Sequence, residues 1–85
     1  MKTKKQLINK VLELEQELYE ISSKEDIVGD LSEWFDIEVN LNCKEKTLLK
    51  LFNDYLDELY SCLLGYSIEE LEDRIEGLEK TIAKK

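Results

Sequence analysis

The 85-residue sequence lacks histidine and proline entirely, and it contains only two cysteines and three glycines. Without histidine, the usual general base at neutral pH is missing, and so are Ser-His and Cys-His catalytic pairs, which argues against an enzyme. Cys43 and Cys62 are too few for a disulfide framework, and neither a CxxC motif nor a histidine accompanies them to hold zinc. We therefore expect no catalytic residues, no cofactor and no metal site, and two reduced thiols.

Long apolar runs are also missing. No stretch approaches the roughly 18 apolar residues that cross a bilayer, and the basic segment at residues 1–5 leads into no continuous apolar segment. The hydrophobic content of 42% is nevertheless enough for a core, and the chain length suits one small domain. The sequence predicts a soluble, cytoplasmic chain with a single helical-bundle domain over residues 1–85.

Four capping patterns precede four apolar runs. In each pattern, a residue that can cap a helix is followed three positions later by an acid or an amide. The pairs are Thr3/Gln6, Ser23/Asp26, Asn42/Glu45 and Ser67/Glu70. Because the runs that follow have the three- and four-residue spacing of helices, we predict an all-α fold. It is a small bundle of three long helices plus one short helix, at about residues 4–22, 24–36, 44–64 and 68–83.

The apolar positions differ in breadth among these runs. The third run has the widest apolar arc, so we expect it to be the central and most buried helix. Its residues expected in the core are Phe52, Leu56, Leu59 and Leu63. The fourth run has only a narrow apolar seam, formed by Ile68, Leu71, Ile75, Leu78 and Ile82. This pattern predicts a helix on the outside of the bundle that contacts the rest along one edge.

Residues 37–42, between the second and third helices, alternate apolar and polar side chains. We interpret them as a short extended connector whose Ile37, Val39 and Leu41 pack into the side of the bundle. The alternative is an edge strand that pairs with another chain, since no second strand-like run is present. The polar face of this segment carries no Arg or Lys, which argues against a ribbon-helix-helix DNA-binding protein.

The order of charges predicts the direction of two helices. The first helix has its lysines early and its glutamates late, whereas the fourth has its acids early and its lysines late. Laid parallel, the two helices would match opposite charges along their length. The sequence therefore favours parallel first and last helices, although exposed ion pairs contribute little each.

Acidic residues exceed basic residues by 20 to 12, for a net charge of −8. Such a surface repels nucleic-acid phosphates and anionic lipids, so we expect no direct binding to nucleic acid or membrane. The excess is concentrated in residues 23–63, which have a net charge of −6, and residues 25–38 contain no base. The acidic clusters at residues 54–58 and 69–76 are interpreted as solvated helix faces, since they lack metal-binding motifs.

Six residues of the second run form the candidate partner-binding site. Asp26, Asp30, Glu33 and Asp36 recur three or four positions apart, which places them along one side of a helix at steps of about 4.5–6 Å. Phosphates of one DNA strand advance by about 3.4 Å, so the spacing is comparable. Beside this row, Trp34 or Phe35 could be an apolar anchor at an interface. The alternative interpretation is that the acids only keep the protein soluble and that both rings seal the bundle.

In size and composition, the chain resembles small helical proteins of phages and mobile elements, among which acidic inhibitors of host nucleases and polymerases occur. The resemblance carries no motif and no residue roles. We expect a non-enzymatic protein-binding module, an inhibitor or adaptor whose acidic surface occupies a basic, nucleic-acid-binding groove of a host protein. The alternative is a self-associating structural or regulatory protein, a homodimer through the seam of the first or fourth helix.

Overall fold

The computed structural model describes residues 3–85 and places four α-helices in them. They are α1 (Lys4–Ile21), α2 (Lys24–Phe35), α3 (Glu45–Leu63) and α4 (Ile68–Lys84). This part of the chain contains no strand, and none of its helices is long and apolar enough to cross a membrane. The prediction of an all-α bundle with three long helices and one short helix is confirmed, with each helix end within one residue of the predicted position.

The beginnings of three helices follow the predicted caps. Complete capping boxes form at Thr3 and Ser67: each hydroxyl accepts a hydrogen bond from the backbone N–H three residues later, and the side chain at that later position accepts from the cap's own N–H. At α2, the Ser23 hydroxyl accepts from the Asp26 backbone N–H. Each such bond satisfies a backbone donor that the helix itself leaves unpaired.

The predicted cap at Asn42 is wrong. The N-cap of α3 is Lys44, which makes no side-chain cap hydrogen bond. The backbone N–H of Asn42 instead donates to the side-chain oxygen of Asn40, at 2.9 Å. In this local turn the Asn40 side chain accepts from the backbone two residues later, a conformation that asparagine favours and that competes with helix capping.

The helices pack as two pairs, α1 with α4 and α2 with α3, and α1 also contacts α3. Lys4 reaches the Leu64 carbonyl, just before α4 begins, and farther along Arg74 of α4 meets Glu15 of α1 at 3.4 Å. The predicted parallel direction of α1 and α4 is therefore confirmed. Within residues 3–85, the Glu15–Arg74 contact is the one ion pair between these helices, so charge matching along their full length does not occur.

Helices α2 and α3 also run parallel. Near their starts, the Lys24 ammonium donates to the Cys43 carbonyl at 2.6 Å. Farther along, the Trp34 indole N–H donates to the Glu58 carboxylate at 2.9 Å. Because a helix the length of α2 spans about 18 Å, the chain must return over that distance before α3 begins. The need to cover this distance explains why the connector between α2 and α3 is extended. Asp36, in the left-handed conformation (φ 53°), begins the return.

The expected burial of the connector is only partly correct. Val39 packs against the core beside α2 and α3, but Ile37 and Leu41 are 48% and 52% exposed. A bend at residue 37 and a turn at residues 41–42 interrupt the alternation of side chains at both ends. Consequently only the middle of the three apolar residues faces the bundle.

Two clusters of buried apolar residues form the core, and α3 contributes to both. The first cluster contains Leu7, Ile8, Val11, Leu59, Leu63 and Leu71, and the second contains Val28, Leu31, Leu48 and Phe52. Tyr55 of α3 packs against both clusters. The central position of α3 is thus confirmed, although Leu56 is only half-buried.

The expectation that α3 is the most buried helix is wrong. Its apolar residues Leu49, Tyr60 and Leu64 are exposed, and α1 buries at least as many side chains. The reason is that α4 packs along α1 instead of covering α3. As predicted, α4 contacts the rest along one edge: Leu71 is buried, and Ile75 and Leu78 are half-buried against the first cluster.

Truncation of the Phe52 side chain tests the second cluster. Phe52 is buried, and the centroid of its ring is 4.2 Å from the centroid of the Tyr19 ring. We expect Phe52→Ala to lower the free energy of unfolding by about 3–5 kcal/mol, because it removes a buried ring and leaves a cavity. Thermal melts followed by circular dichroism measure the change. Leu49→Ala on the exposed side of α3 is the control and should change stability by about 0.5 kcal/mol or less.

Replacement of Gly77 by alanine is expected to stabilise the fold. This glycine lies inside α4, and a Cβ built at this position meets no other atom within 4 Å. We expect Gly77→Ala to raise stability by about 0.5–1 kcal/mol, because alanine restricts the unfolded chain and favours the helix. The melting temperature should rise by about 2–8 °C. A lower melting temperature would mean that another surface packs against this face of α4.

Candidate functional site

A groove of about 520 Å³ opens between α1 and α2, with α3 as its floor. It exists because α1 pairs with α4 and α2 pairs with α3, so α1 and α2 do not pack closely on each other. Apolar side chains of both walls face it, among them Leu18 of α1 and Ile27 of α2. The groove is thus a consequence of how the two helix pairs join.

Four aromatic rings line the groove, namely Tyr19, Trp34, Phe52 and Tyr55. Ring centroids are 4.2 Å apart for Tyr19 and Phe52 and 5.8 Å apart for Phe52 and Tyr55. Trp34 meets Tyr55 edge to face, at 4.9 Å and 89°. The indole is 38% exposed, yet its hydrogen bond to Glu58 fixes its orientation. The rings therefore form one connected aromatic surface that is partly open to solvent.

Three carboxylates also line the groove. Asp30 and Glu33 lie one helical turn apart on α2 and are exposed, whereas Glu15 on α1 is buried. Within residues 3–85, Glu15 has an ion-pair partner, but Asp30 and Glu33 have none. The pKa of Asp30 is raised, first by partial burial and then by the neighbouring charge of Asp26. Lys85, the ion-pair partner of Asp26, lowers this pKa in part, so the negative charge on the α2 side of the groove is only partly compensated.

Glu15 belongs to a polar cluster at the junction of α1, α3 and α4. Its carboxylate accepts a hydrogen bond from Arg74 at 3.4 Å, and the Tyr55 hydroxyl lies near it. Burial raises the pKa of Glu15, and the favourable charge of Arg74 opposes that effect only in part. Burial, followed by the charge of Glu15, also raises the pKa of the Tyr55 hydroxyl, which keeps its proton. The Arg74 Nε is buried without a hydrogen-bond partner, so this arginine is incompletely paired.

The six residues singled out in the sequence do not form one continuous strip. Asp30, Glu33 and Trp34 line the groove. Asp26, one turn earlier, forms an ion pair with Lys85 at 3.1 Å, and this contact lowers the pKa of Asp26. Phe35 packs against the second core cluster, and Asp36 ends α2 as its C-cap. As expected for adjacent aromatic residues on a helix, Trp34 is the exposed ring and Phe35 the half-buried one.

The sequence interpretation missed the α1 and α3 contributions to this site. Glu15 had a local signal, because it lies four residues after Val11 and three before Leu18, inside the apolar stripe of α1. An acid at such a position indicates a buried partner. Tyr19 and Tyr55 had no such signal, since their approach to α2 depends on how the helices pack.

Metal-ligating side chains and cysteines are the remaining groups that could carry chemistry. Residues 3–85 contain no group of three or more metal-ligating side chains that could hold an ion. Cys43 and Cys62 are free cysteines. Comparisons of the chain with protein-family models, with curated proteins and with solved structures give no significant match. The site is therefore interpreted from its own geometry.

The raised pKa of Glu15 predicts how stability depends on pH. The folded state binds the Glu15 proton more tightly than the unfolded state, so protonation favours folding. We expect the stability of the parent, relative to a Glu15→Gln variant, to increase as the pH falls from 7 through the raised pKa towards 4.5. Urea unfolding of both proteins at several pH values measures this difference. A difference that decreases over the same interval would mean that Arg74 lowers this pKa overall.

Proposed function

We propose that this chain is a non-enzymatic protein-binding module that engages a basic surface of a partner protein through the groove between α1 and α2. The observation that carries the proposal is an aromatic surface, partly open to solvent, beside two carboxylates without ion-pair partners among residues 3–85. Aromatic rings supply contact area at interfaces, and charge at the rim selects partners of opposite sign.

Charge would bring such a partner to this face. Residues 23–63, which include α2 and α3, carry a net charge of −6. Attraction between this surface and a basic partner accelerates encounter and weakens with salt. Proteins that bind nucleic acid have basic surfaces of this kind. By covering such a basic surface, the chain would act as an inhibitor or adaptor of the partner protein.

The concave shape changes the expected fit. An acidic strip on a convex helix would enter a groove of the partner, whereas Asp30, Glu33 and Trp34 line a groove of this chain. A basic segment that projects from the partner is therefore better matched than a wide basic cleft. Asp26 contributes less, because Lys85 already pairs with it.

Self-association through the apolar seams is less well supported. Residues of the α1 seam, such as Val11, and of the α4 seam, such as Leu71, lie together in the first core cluster. A homodimer through either seam would have to separate α1 from α4 and expose these side chains. Because both seams are buried within the monomer, a different protein is favoured as the partner.

The test neutralises the groove without changing its shape. Partners are captured from a lysate of the organism that encodes the chain, at low and at high salt, and the affinity of each is then measured. Asp30→Asn combined with Glu33→Gln should weaken binding about tenfold at low salt and less at high salt, because exposed charge pairs contribute about 0.2–1 kcal/mol each and are screened.

A matched control has the same change in charge on another helix. Glu72→Gln combined with Asp73→Asn alters two exposed acids of α4 that do not line the groove. This control should bind nearly as the parent does. If both double variants weakened binding equally, the effect would come from net charge and not from the groove. An unchanged affinity of the groove variant would refute the proposal.

A further inference from the structure

We propose that the groove binds an arginine side chain of the partner, with the guanidinium against the aromatic rings and beside Asp30 and Glu33. This inference rests on the proposed function and names the chemical group that the groove recognises. It concerns one occupant, an arginine within a basic protein segment.

The aromatic surface suits a planar cation. The faces of tryptophan and tyrosine rings attract cations, and arginine makes such contacts more often than lysine because its flat guanidinium can also stack. Trp34 is held in place by its bond to Glu58 and by its edge-to-face contact with Tyr55. A ring that is already fixed loses little conformational freedom when a ligand stacks on it.

The carboxylates suit the hydrogen-bond donors of a guanidinium. Arginine presents five N–H donors in a fixed plane, so it can bond one carboxylate with two parallel hydrogen bonds or reach two carboxylates. Asp30 and Glu33 lie one turn apart on the same wall and form no ion pair within residues 3–85. Partial burial and the charge of Asp26 keep the pKa of Asp30 raised, although Lys85, which pairs with Asp26, lowers it in part.

The apolar part of the groove suits the arginine stem. Leu18 and Ile27 lie on opposite walls, and three methylene groups of an arginine side chain can cover such surface while the charged end stays near the rim. A lysine would place a compact, strongly hydrated ammonium at the same position and would forgo stacking.

The chain itself contains a precedent. Arg74 of α4 donates to the Glu15 carboxylate and lies near the Tyr55 hydroxyl. The groove side of the same aromatic surface presents Asp30 and Glu33 instead, with no arginine against them. An arginine from a partner would repeat the contact between guanidinium and carboxylate on the open side and would add stacking on a ring face.

The experiment compares two capped peptides of equal length and charge, one with arginines and the other with lysines in the same glycine-serine sequence. Calorimetry measures their affinities, and fluorescence of Trp34, the single tryptophan, reports occupancy of the groove. We expect the arginine peptide to bind about two- to fivefold more tightly, as a partly exposed cation–π contact implies, and to change the Trp34 emission.

Variants separate stacking from charge. Trp34→Leu should remove the preference for arginine over lysine, whereas Tyr60→Leu, a control at an exposed aromatic residue outside the groove, should retain it. Asp30→Asn combined with Glu33→Gln should weaken binding of both peptides. Circular dichroism of each variant verifies that its helical content equals that of the parent.

The outcomes distinguish this inference from the proposed function. Equal affinities for the two peptides, unchanged Trp34 emission, or an arginine preference that survives Trp34→Leu would overturn arginine recognition. The proposed function would still stand if neutralising Asp30 and Glu33 weakened binding of the captured partner. If acetyl-arginine amide alone bound as tightly as the arginine peptide, the result would overturn the assignment to a partner's side chain and would indicate a small guanidinium compound as the occupant.

Discussion

Tyr55 joins the two halves of this bundle. It is the α3 residue that packs against both core clusters, and it also lies near Glu15 of α1 and meets Trp34 of α2 edge to face. Because the α1/α4 pair and the α2/α3 pair meet mainly along α3, the space between α1 and α2 stays open. The groove is therefore a direct result of packing four helices as two pairs around one shared helix.

The buried charge next to Tyr55 fixes how α1 aligns with α4. Burial of Glu15 is unfavourable by itself, and the raised pKa of its carboxyl shows that Arg74 compensates only in part. A shift of α4 by one turn along α1 would leave Glu15 buried without its arginine, which is less favourable still. The pair thus favours the observed register of α1 and α4 over one shifted by a turn.

Local sequence information was sufficient for the helices but not for the groove. Caps such as Ser67 and the apolar spacing determine helix starts and faces over a few residues, so helix positions were predictable. The failures at Asn42 and in the connector also have local causes, namely an asparagine turn and breaks in alternation. Asp30 and Glu33 were singled out by their spacing on α2, and Trp34 as an aromatic residue beside that row. Their neighbours Glu15, Tyr19 and Tyr55 come from other helices, and no local rule brings them together.

The packing of the helix pairs leaves the groove open, and the carboxylates along it add an electrostatic cost to closing it. Closing α1 onto α2 would bury the aromatic surface, which is favourable, but it would also bring Asp30 and Glu33 towards Glu15 in a less polar environment. Burial is the main reason that the pKa of Glu15 is raised, and the charge of Asp30 across the groove adds a small repulsion in the open form. Burial without a counter-ion would increase this repulsion and remove the hydration of both α2 carboxylates. Under the proposed function, a cation between the walls would reverse the sign of that interaction and allow the rings to be covered. The acids that oppose closure would then also favour a positively charged occupant.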